Sequence, residues 1–393
     1  MLMFQSAKKP SQPGQSGQIF RLIILFLLLF LPFSTILQAQ ETTEQVAGQE
    51  EELAKVEKNK VSVTALPILY YTPETKLAFG AGGLLAYRLG LVFKETRPST
   101  LFFAGIYTQM KQYTFQLKPE IYLKNNSIFL TGNFLAERFP TKFWGVGPDT
   151  DEEQLETYTP QTYFMELGYQ GKYFHQIPLY LGVRYHLEKT SIVDKEPGKI
   201  LDQGLVMGSE GGWISGPGLI VNYDSRDNIF FPSSGNYLQL FGFWNNKIFG
   251  SSFNYVNLKI DARHYFGVSP GQVLVVQGIL DTVSGDVPFY KLPKIGGDLL
   301  RGYYGGRFRD QVVVAFQTEY RFPIWKRLSG VAFAGLGSLA DSLKHISWDH
   351  LKYSAGFGFR FKIIPKEQVN VRVDFAFGPN GTSGIYMSAG EAF

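Results

Sequence analysis

The feature that most constrains this chain is the parity of its strand-like segments. Between Gln311 and Phe322, the residues Val312, Val314, Phe316, Thr318, Tyr320 and Phe322 share one face, and Val313, Ala315, Gln317, Glu319 and Arg321 share the other. Successive side chains of a strand point to opposite sides, so one face is fit for lipid and the other is polar. Phe253–Tyr265 repeats the pattern, with Val256, Leu258, Ile260 and Ala262 opposing Asn257, Lys259, Asp261 and Arg263. In Val369–Phe377, Val369, Val371, Val373, Phe375 and Phe377 oppose Asn370, Arg372 and Asp374. A soluble sandwich would bury those charges, which is costly unless they pair. A barrel lumen keeps them hydrated. Parity alone also fits a soluble barrel with its polar face outward, so strand number, an export signal and the final residues must separate the two.

From Val61 onward, sixteen alternating segments can be marked, from Val61–Leu69 and Lys76–Arg88 to Ile385–Phe393, with Thr162–Phe174, Leu179–Ile192 and Phe253–Tyr265 among them. Dividing the 333 residues from Val61 to Phe393 (393 − 60) among sixteen leaves about 21 for each strand and its connection, which suits spans of roughly 9–11 residues plus loops. Long connections follow odd strands, as in Pro140–Gln161, Glu188–Glu210, Val283–Asp310 and Ala340–Lys352, and short ones such as Pro323–Arg327 follow even strands. Outer-membrane barrels place short turns in the periplasm and long loops outside, and an even strand number returns the chain to the periplasmic side. The fold class predicted is therefore all-β, a transmembrane antiparallel β-barrel of about 16 strands of outer-membrane type.

Composition excludes the competing classes. Aromatic residues make up 16% of the chain, with 34 Phe and 22 Tyr, yet the only long apolar run lies near the N-terminus. A polytopic helical protein needs several such runs of roughly 20 residues. Cysteine is absent, which removes disulfides, thiolate metal sites and a lipoprotein anchor. A net charge of +4 without a basic block gives nucleic acid no footprint.

Lys8, Lys9 and Arg21 precede an apolar run from Leu22 to Phe33, and Leu37-Gln38-Ala39 offers a cleavage site. Residues 1–39 read as a signal peptide. Residues 40–60, with Glu50-Glu51-Glu52, Lys55, Lys58 and Lys60, read as a short charged periplasmic lead, either a helix or disordered. Residues 61–393 form the barrel domain.

Two blocks carry a family likeness. A glycine-rich loop bears Leu300-Arg301-Gly302-Tyr303 and feeds a strand with Thr318-Glu319-Tyr320-Arg321-Phe322-Pro323. A second block, Gly216 to Asn228, contains Tyr223-Asp224-Ser225-Arg226-Asp227 and is followed by Pro232 and Gly235. Together they resemble the barrel of the BamA/TamA outer-membrane family, the bacterial surface antigen domain, over the chain from about Val61 to Phe393. In that family an Arg-Gly-Tyr or Arg-Gly-Phe tip tucks into the lumen. The resemblance thus implies that Leu300, Arg301, Gly302 and Tyr303 form a loop lock whose main lumen partner is Glu319, while Asp374 and Asp261, on the inferred polar faces of their strands, are expected in reserve. The reserve is needed because the family's Phe-x-Asp-x-Gly reads Phe333-Ala334-Gly335-Leu336-Gly337 here. Asp224, Arg226 and Asp227 are expected to satisfy a turn and one another. Phe143-Trp144-Gly145-Val146-Gly147 opens a long external loop and is expected in the interfacial aromatic girdle, with exposed recognition as the alternative. Ile385, Tyr386 and Phe393 are expected on a seam strand whose final aromatic resembles an assembly signal.

Catalysis finds little footing. Five His occur, none in a His-Glu-x-x-His arrangement, and His175, His186 and His264 lack an evident serine partner. No enzyme activity, metal or cofactor is expected. The resemblance implies an outer-membrane insertase or translocase acting on protein or lipid, with client outer-membrane proteins or a separate periplasmic partner. The alternative is a passive channel or a membrane platform. The lead is too short for the periplasmic transport-associated modules that usually precede this barrel, which lowers the first reading.

Overall fold

A computed structural model of the chain describes residues 62–72, 76–87, 96–174, 176–365 and 368–393. The expected signal peptide, the charged lead and His175 lie outside them. One antiparallel sheet of 17 strands dominates, and setting aside the three-residue strand Thr141–Phe143 leaves 16 (17 − 1). These are Ser62–Thr72, Lys76–Tyr87, Ser99–Thr108, Tyr113–Leu123, Ile128–Arg138, Glu156–Gly171, Leu179–Lys195 and Gly211–Asp224 in the first half. Gly235–Asn245, Tyr255–Ser269, Gln272–Gly285, Val312–Trp325, Leu328–Ala340, Lys352–Ile364, Val369–Phe377 and Ser383–Ala389 form the second. Each pairs with its sequence neighbour, giving an up-and-down meander whose ends are Ser62–Thr72, paired with the second strand, and Ser383–Ala389, paired with Val369–Phe377. Among the described residues no helix is long and apolar enough to cross a membrane. Strands make the crossing, as a transmembrane β-barrel requires.

Several strands run past the expected ends. Leu179–Lys195 and Glu156–Gly171 stay paired from Gly171↔Leu181 to Tyr158↔Lys195, so the hairpin projects beyond the lipid on the long-loop side and the loop is shortened accordingly. Backbone groups that stay paired avoid being buried without a partner, and that favours zipping on.

Parity sets the two surfaces. Leu219, Val256, Leu258, Phe359, Phe361 and Met387 stand exposed on the outer wall, as lipid-facing residues do. Inward, the barrel differs from the wet lumen expected of it. Glu319, Arg321, Arg360 and Asp374 are fully buried, because the connection between Gly285 and Val312 folds back inside. Its Ile295, Leu300, Tyr303 and Phe308 pack with Val313, Ala315 and Leu339 of the wall into a closed apolar cluster. Higher up, Phe143, Tyr158, Ile192, Leu201 and Phe289 make a second cluster. Phe143 and Trp144 are therefore inside a capping layer of loops and not in a lipid girdle, with the Trp144 Nε1–H donating to Glu152 at 2.9 Å. That bond, with Arg307 beside it, holds the Glu152 carboxyl below the usual carboxylate range.

Candidate functional site

The buried charges collect around the tip of the folded-back loop. Leu300 has φ +62, a left-handed conformation that a bulky residue adopts only under constraint. Its N–H donates to Gln317 Oε1 at 3.1 Å. From that turn the Arg301 guanidinium reaches two strands at once, donating from Nη2 to Glu319 Oε2 at 3.0 Å and from Nη1 to Asp374 Oδ2 at 2.6 Å. Its carbon lies 3.5 Å from the Phe333 ring centroid, a distance at which the ring face attracts a cation.

Each carboxylate is shared. Glu319 also accepts from Arg321 Nε at 2.9 Å and Arg360 Nη2 at 3.2 Å. Asp374 also accepts from Arg360 Nη1 at 2.5 Å and Arg372 Nη1 at 3.0 Å. Arg372 turns its other arm to Asp298 at 2.5 Å. Arg360 completes the group by donating from Nε to Glu391 at 2.6 Å. Four guanidiniums (Arg301, Arg321, Arg360, Arg372) therefore face four carboxylates (Asp298, Glu319, Asp374, Glu391), which leaves the cluster neutral. Asp298 lies exposed at the rim; the other pairs are closed to water, where charge-assisted pairs are strong when complete and costly when one member is lost.

Glu391 belongs to a segment that sequence reading placed on the last strand. That strand ends at Ala389. Gly390, at φ +86, turns the chain inward, and Phe393 packs with Tyr265, Val273 and Val275. Arg321 Nη2 donates to the Phe393 carbonyl at 3.0 Å. Phe393 is thus a lumen residue and not a lipid-facing strand terminus. Tyr386 also faces inward, accepting from the Gly302 N–H at 2.8 Å and donating to the Tyr303 carbonyl at 3.0 Å. Ile385 alone of the three proposed seam residues points outward, exposed.

Asp261 does not reach Arg301. It accepts from Arg263 Nε at 2.9 Å and from Gln277 Nε2 at 2.9 Å. Gln317 in turn donates to Gln277 at 3.0 Å, so a relay of two amides joins Asp261 to the Leu300 N–H. Arg263 sits two residues from Asp261 on the same face and takes the carboxylate first.

At the short-turn end, Asp224 is buried and accepts from Arg226 Nε and Nη2, both at 2.9 Å, and from Arg97 Nη1 at 2.6 Å. Asp227 stands apart, accepting from the N–H groups of Asn228 and Ser233 at 2.9 Å and fixing the turn before Gly235. Of the histidines, His186 stacks on Phe243 at 4.0 Å and contacts Asn245, while His264 contacts Asn236.

An inward-folded Arg-Gly-Tyr tip on a shared carboxylate set coincides with the match of an Omp85 superfamily domain model to residues 117–393, well over half of the chain. The chain belongs to the Omp85 superfamily. It is a β-barrel of the bacterial outer membrane. Among solved structures, BamA from Haemophilus ducreyi lacking POTRA domains 1–3 aligns with 84% of this chain and 69% of its own, at 16% identity and a TM-score of 0.53. That likeness supports the fold. Pseudomonas aeruginosa OccK10 (OpdN) aligns with 85% of this chain and 98% of its own, at 9% identity and a TM-score of 0.35, too low for an argument. No curated protein sequence matches the chain.

In this Omp85 chain the position of the missing family aspartate, Gly335, lies opposite Gln317, and a Cβ there would come 3.2 Å from the Gln317 side chain. Asp374 supplies the second carboxylate from two strands further along the meander. Arg360, Arg372, Glu391 and Arg97 were not singled out from sequence. Their only signal was a charge on the polar face of an alternating strand or beside a turn, common to many residues that pair elsewhere.

Gly302 carries φ +117, and a Cβ there would meet the Phe377 carbonyl carbon at 3.1 Å and the Gly378 nitrogen at 3.2 Å. Both neighbours are backbone and cannot swing away. Gly302→Ala is expected to undock the tip and raise tryptic cleavage after Arg301 and Arg307 at least tenfold, with the barrel retained in heat-modifiability assays. Unchanged cleavage would show that the tip tolerates the methyl group.

Proposed function

We propose that this Omp85 barrel assists insertion or translocation of protein or lipid at a seam between its first and last strands. The observation that carries the reading is the curtailed last strand. Ser383–Ala389 has 7 residues against 11 in Ser62–Thr72, because Gly390 diverts the chain to Arg360 and Arg321. A seven-residue strand cannot satisfy the whole edge of an eleven-residue one. Unpaired backbone groups in hydrocarbon cost several kcal/mol each, so the remaining edge favours an incoming strand that completes it. Client outer-membrane precursors are the partners of this reading, and the tip loop, bonded to Tyr386, holds the last strand in its short form. Leu300, Arg301, Gly302 and Tyr303 then act as a structural lock, with no catalytic group.

A passive channel is the second reading. Lumen-facing Phe102, Lys118 and Asn133, on strands far from the folded-back loop, keep partial exposure, and Glu120 is exposed, in contrast to the closed cluster around Arg301.

Crosslinking decides between the readings. Cysteines at Ile385 and Met387, both on the outer face, should trap precursor barrels in native membranes in excess over a control cysteine at Leu258. Capture of one fixed companion would favour a platform. No capture at either position, with ion conductance in planar bilayers, would favour the channel.

A further inference from the structure

The outer wall carries a furrow whose shape and charge are independent of the seam. Cross-strand registers build it. Ala81, Gly105, Phe115 and Ala136 lie in one row across four strands, and the row continues through Tyr163, Lys189 and Trp213. Three of the first four are small, and the Phe115 ring lies over Gly105, where a Cβ would come within 3.2 Å of it. The neighbouring row toward the turn at Lys111 is Phe79, Tyr107, Tyr113, Arg138 and Gln161. On the opposite bank stand Phe103, Leu117, Phe134, Met165 and Leu187. Small residues between two banks of large ones leave a concavity of about 1190 Å³ on the membrane side.

The two banks differ chemically. The long-loop bank carries the polar groups: the Tyr113 hydroxyl lies 3.1 Å from that of Tyr163, which rises from the furrow row, and Gln161 Nε2 donates to them at 3.2 and 2.8 Å. Tyrosines with wet hydroxyls mark the level of lipid headgroups. Lys189 lies 5.4 Å from the Trp213 ring at the furrow's end. Among the described residues no carboxylate lies within ion-pair distance of Lys111, Arg138 or Lys189. The far bank is wholly apolar.

We infer that this furrow binds an anionic, phosphate-bearing lipid of the outer leaflet, its headgroup at Arg138 and Lys189 and an acyl chain along the row from Ala136 to Ala81. A polypeptide strand fits it poorly. The backbone groups of these strands are already paired on both sides, and an extended peptide laid on such a wall would leave its own N–H and C=O groups unsatisfied in hydrocarbon. An acyl chain carries no such groups, and the unpaired cations match a phosphate.

The test uses the purified protein in phosphatidylcholine nanodiscs containing trace spin-labelled phosphatidylglycerol or phosphatidylcholine. The motionally restricted fraction, read by electron paramagnetic resonance, is expected to be at least threefold larger for phosphatidylglycerol. Ala136→Trp, which fills the furrow from the lipid side, should abolish the excess, and Arg138→Gln with Lys189→Gln should equalise the two lipids. Retained heat-modifiability confirms that each variant is folded. Equal restriction of both lipids by the unaltered protein, or an excess that survives Ala136→Trp, would overturn the inference. So would precursor proteins crosslinked from a cysteine at position 136, since the furrow would then be a client surface.

Discussion

Glu319→Gln is expected to lower the stability of the barrel by about 3–5 kcal/mol in denaturant unfolding, the range for removing one partner of a buried ion pair. The substitution keeps the shape of the side chain but removes the charge that three guanidiniums share, those of Arg301, Arg321 and Arg360. None of the three can reach water, since each side chain is fully buried. Arg301→Ala should cost a similar amount, because it leaves Glu319 and Asp374 with fewer donors and empties the space above Phe333. In a double-mutant cycle the two losses should not add, with an interaction energy of about 1–3 kcal/mol. Additive losses would mean that Arg301 and Glu319 do not act as a pair. Replacing both by apolar residues of matched volume is a different experiment, and it can come out neutral.

The second large effect is expected at the other end of the barrel. Asp224→Asn should cost about 2–4 kcal/mol, because a buried carboxylate holding two guanidiniums is replaced by an amide that can accept far less. Arg97 precedes the strand Ser99–Thr108 and also donates to the Asp224 and Arg226 carbonyls at 3.2 and 3.4 Å. Losing the clamp should therefore loosen the entry to that strand together with the turn after Asp224. Limited proteolysis within 225–234, read beside unfolding midpoints, checks this. A variant with an unchanged midpoint and an uncut turn would reduce Asp224 to a local turn residue.

Period-two alternation made the sheet readable because it is a local property. Each of the sixteen segments marked from it overlaps an observed spanning strand, and errors fell at the ends, as where Glu156 begins a strand expected at Thr162. Pairings across the lumen were less legible, since they depend on curvature that no local pattern encodes. Asp261 and Asp374 look equivalent as acids on polar faces, yet Asp261 is taken by Arg263 two residues away while Asp374 faces the tip. The end of the chain misled for a related reason. Ile385 and Met387 do face outward, and the same alternation can be extended on paper to Phe393, but Gly390 bends and Glu391 finds Arg360. Trp144 was ambiguous in another way. An aromatic at a strand end suits a lipid interface or a loop core equally, and only the Glu152 acceptor and the neighbouring Arg307 place it in the core.

If one charge cluster holds both the loop tip and the last strand, releasing one releases the other. Hydrogen exchange, compared between the unaltered protein and Glu319→Gln in the same nanodisc, tests it directly. Amides of 296–306 and of Ser383–Ala389 are expected to lose protection together, while those of the distant strand Leu179–Lys195 stay unchanged. Loss of protection confined to 296–306, with the last strand protected as before, would contradict it.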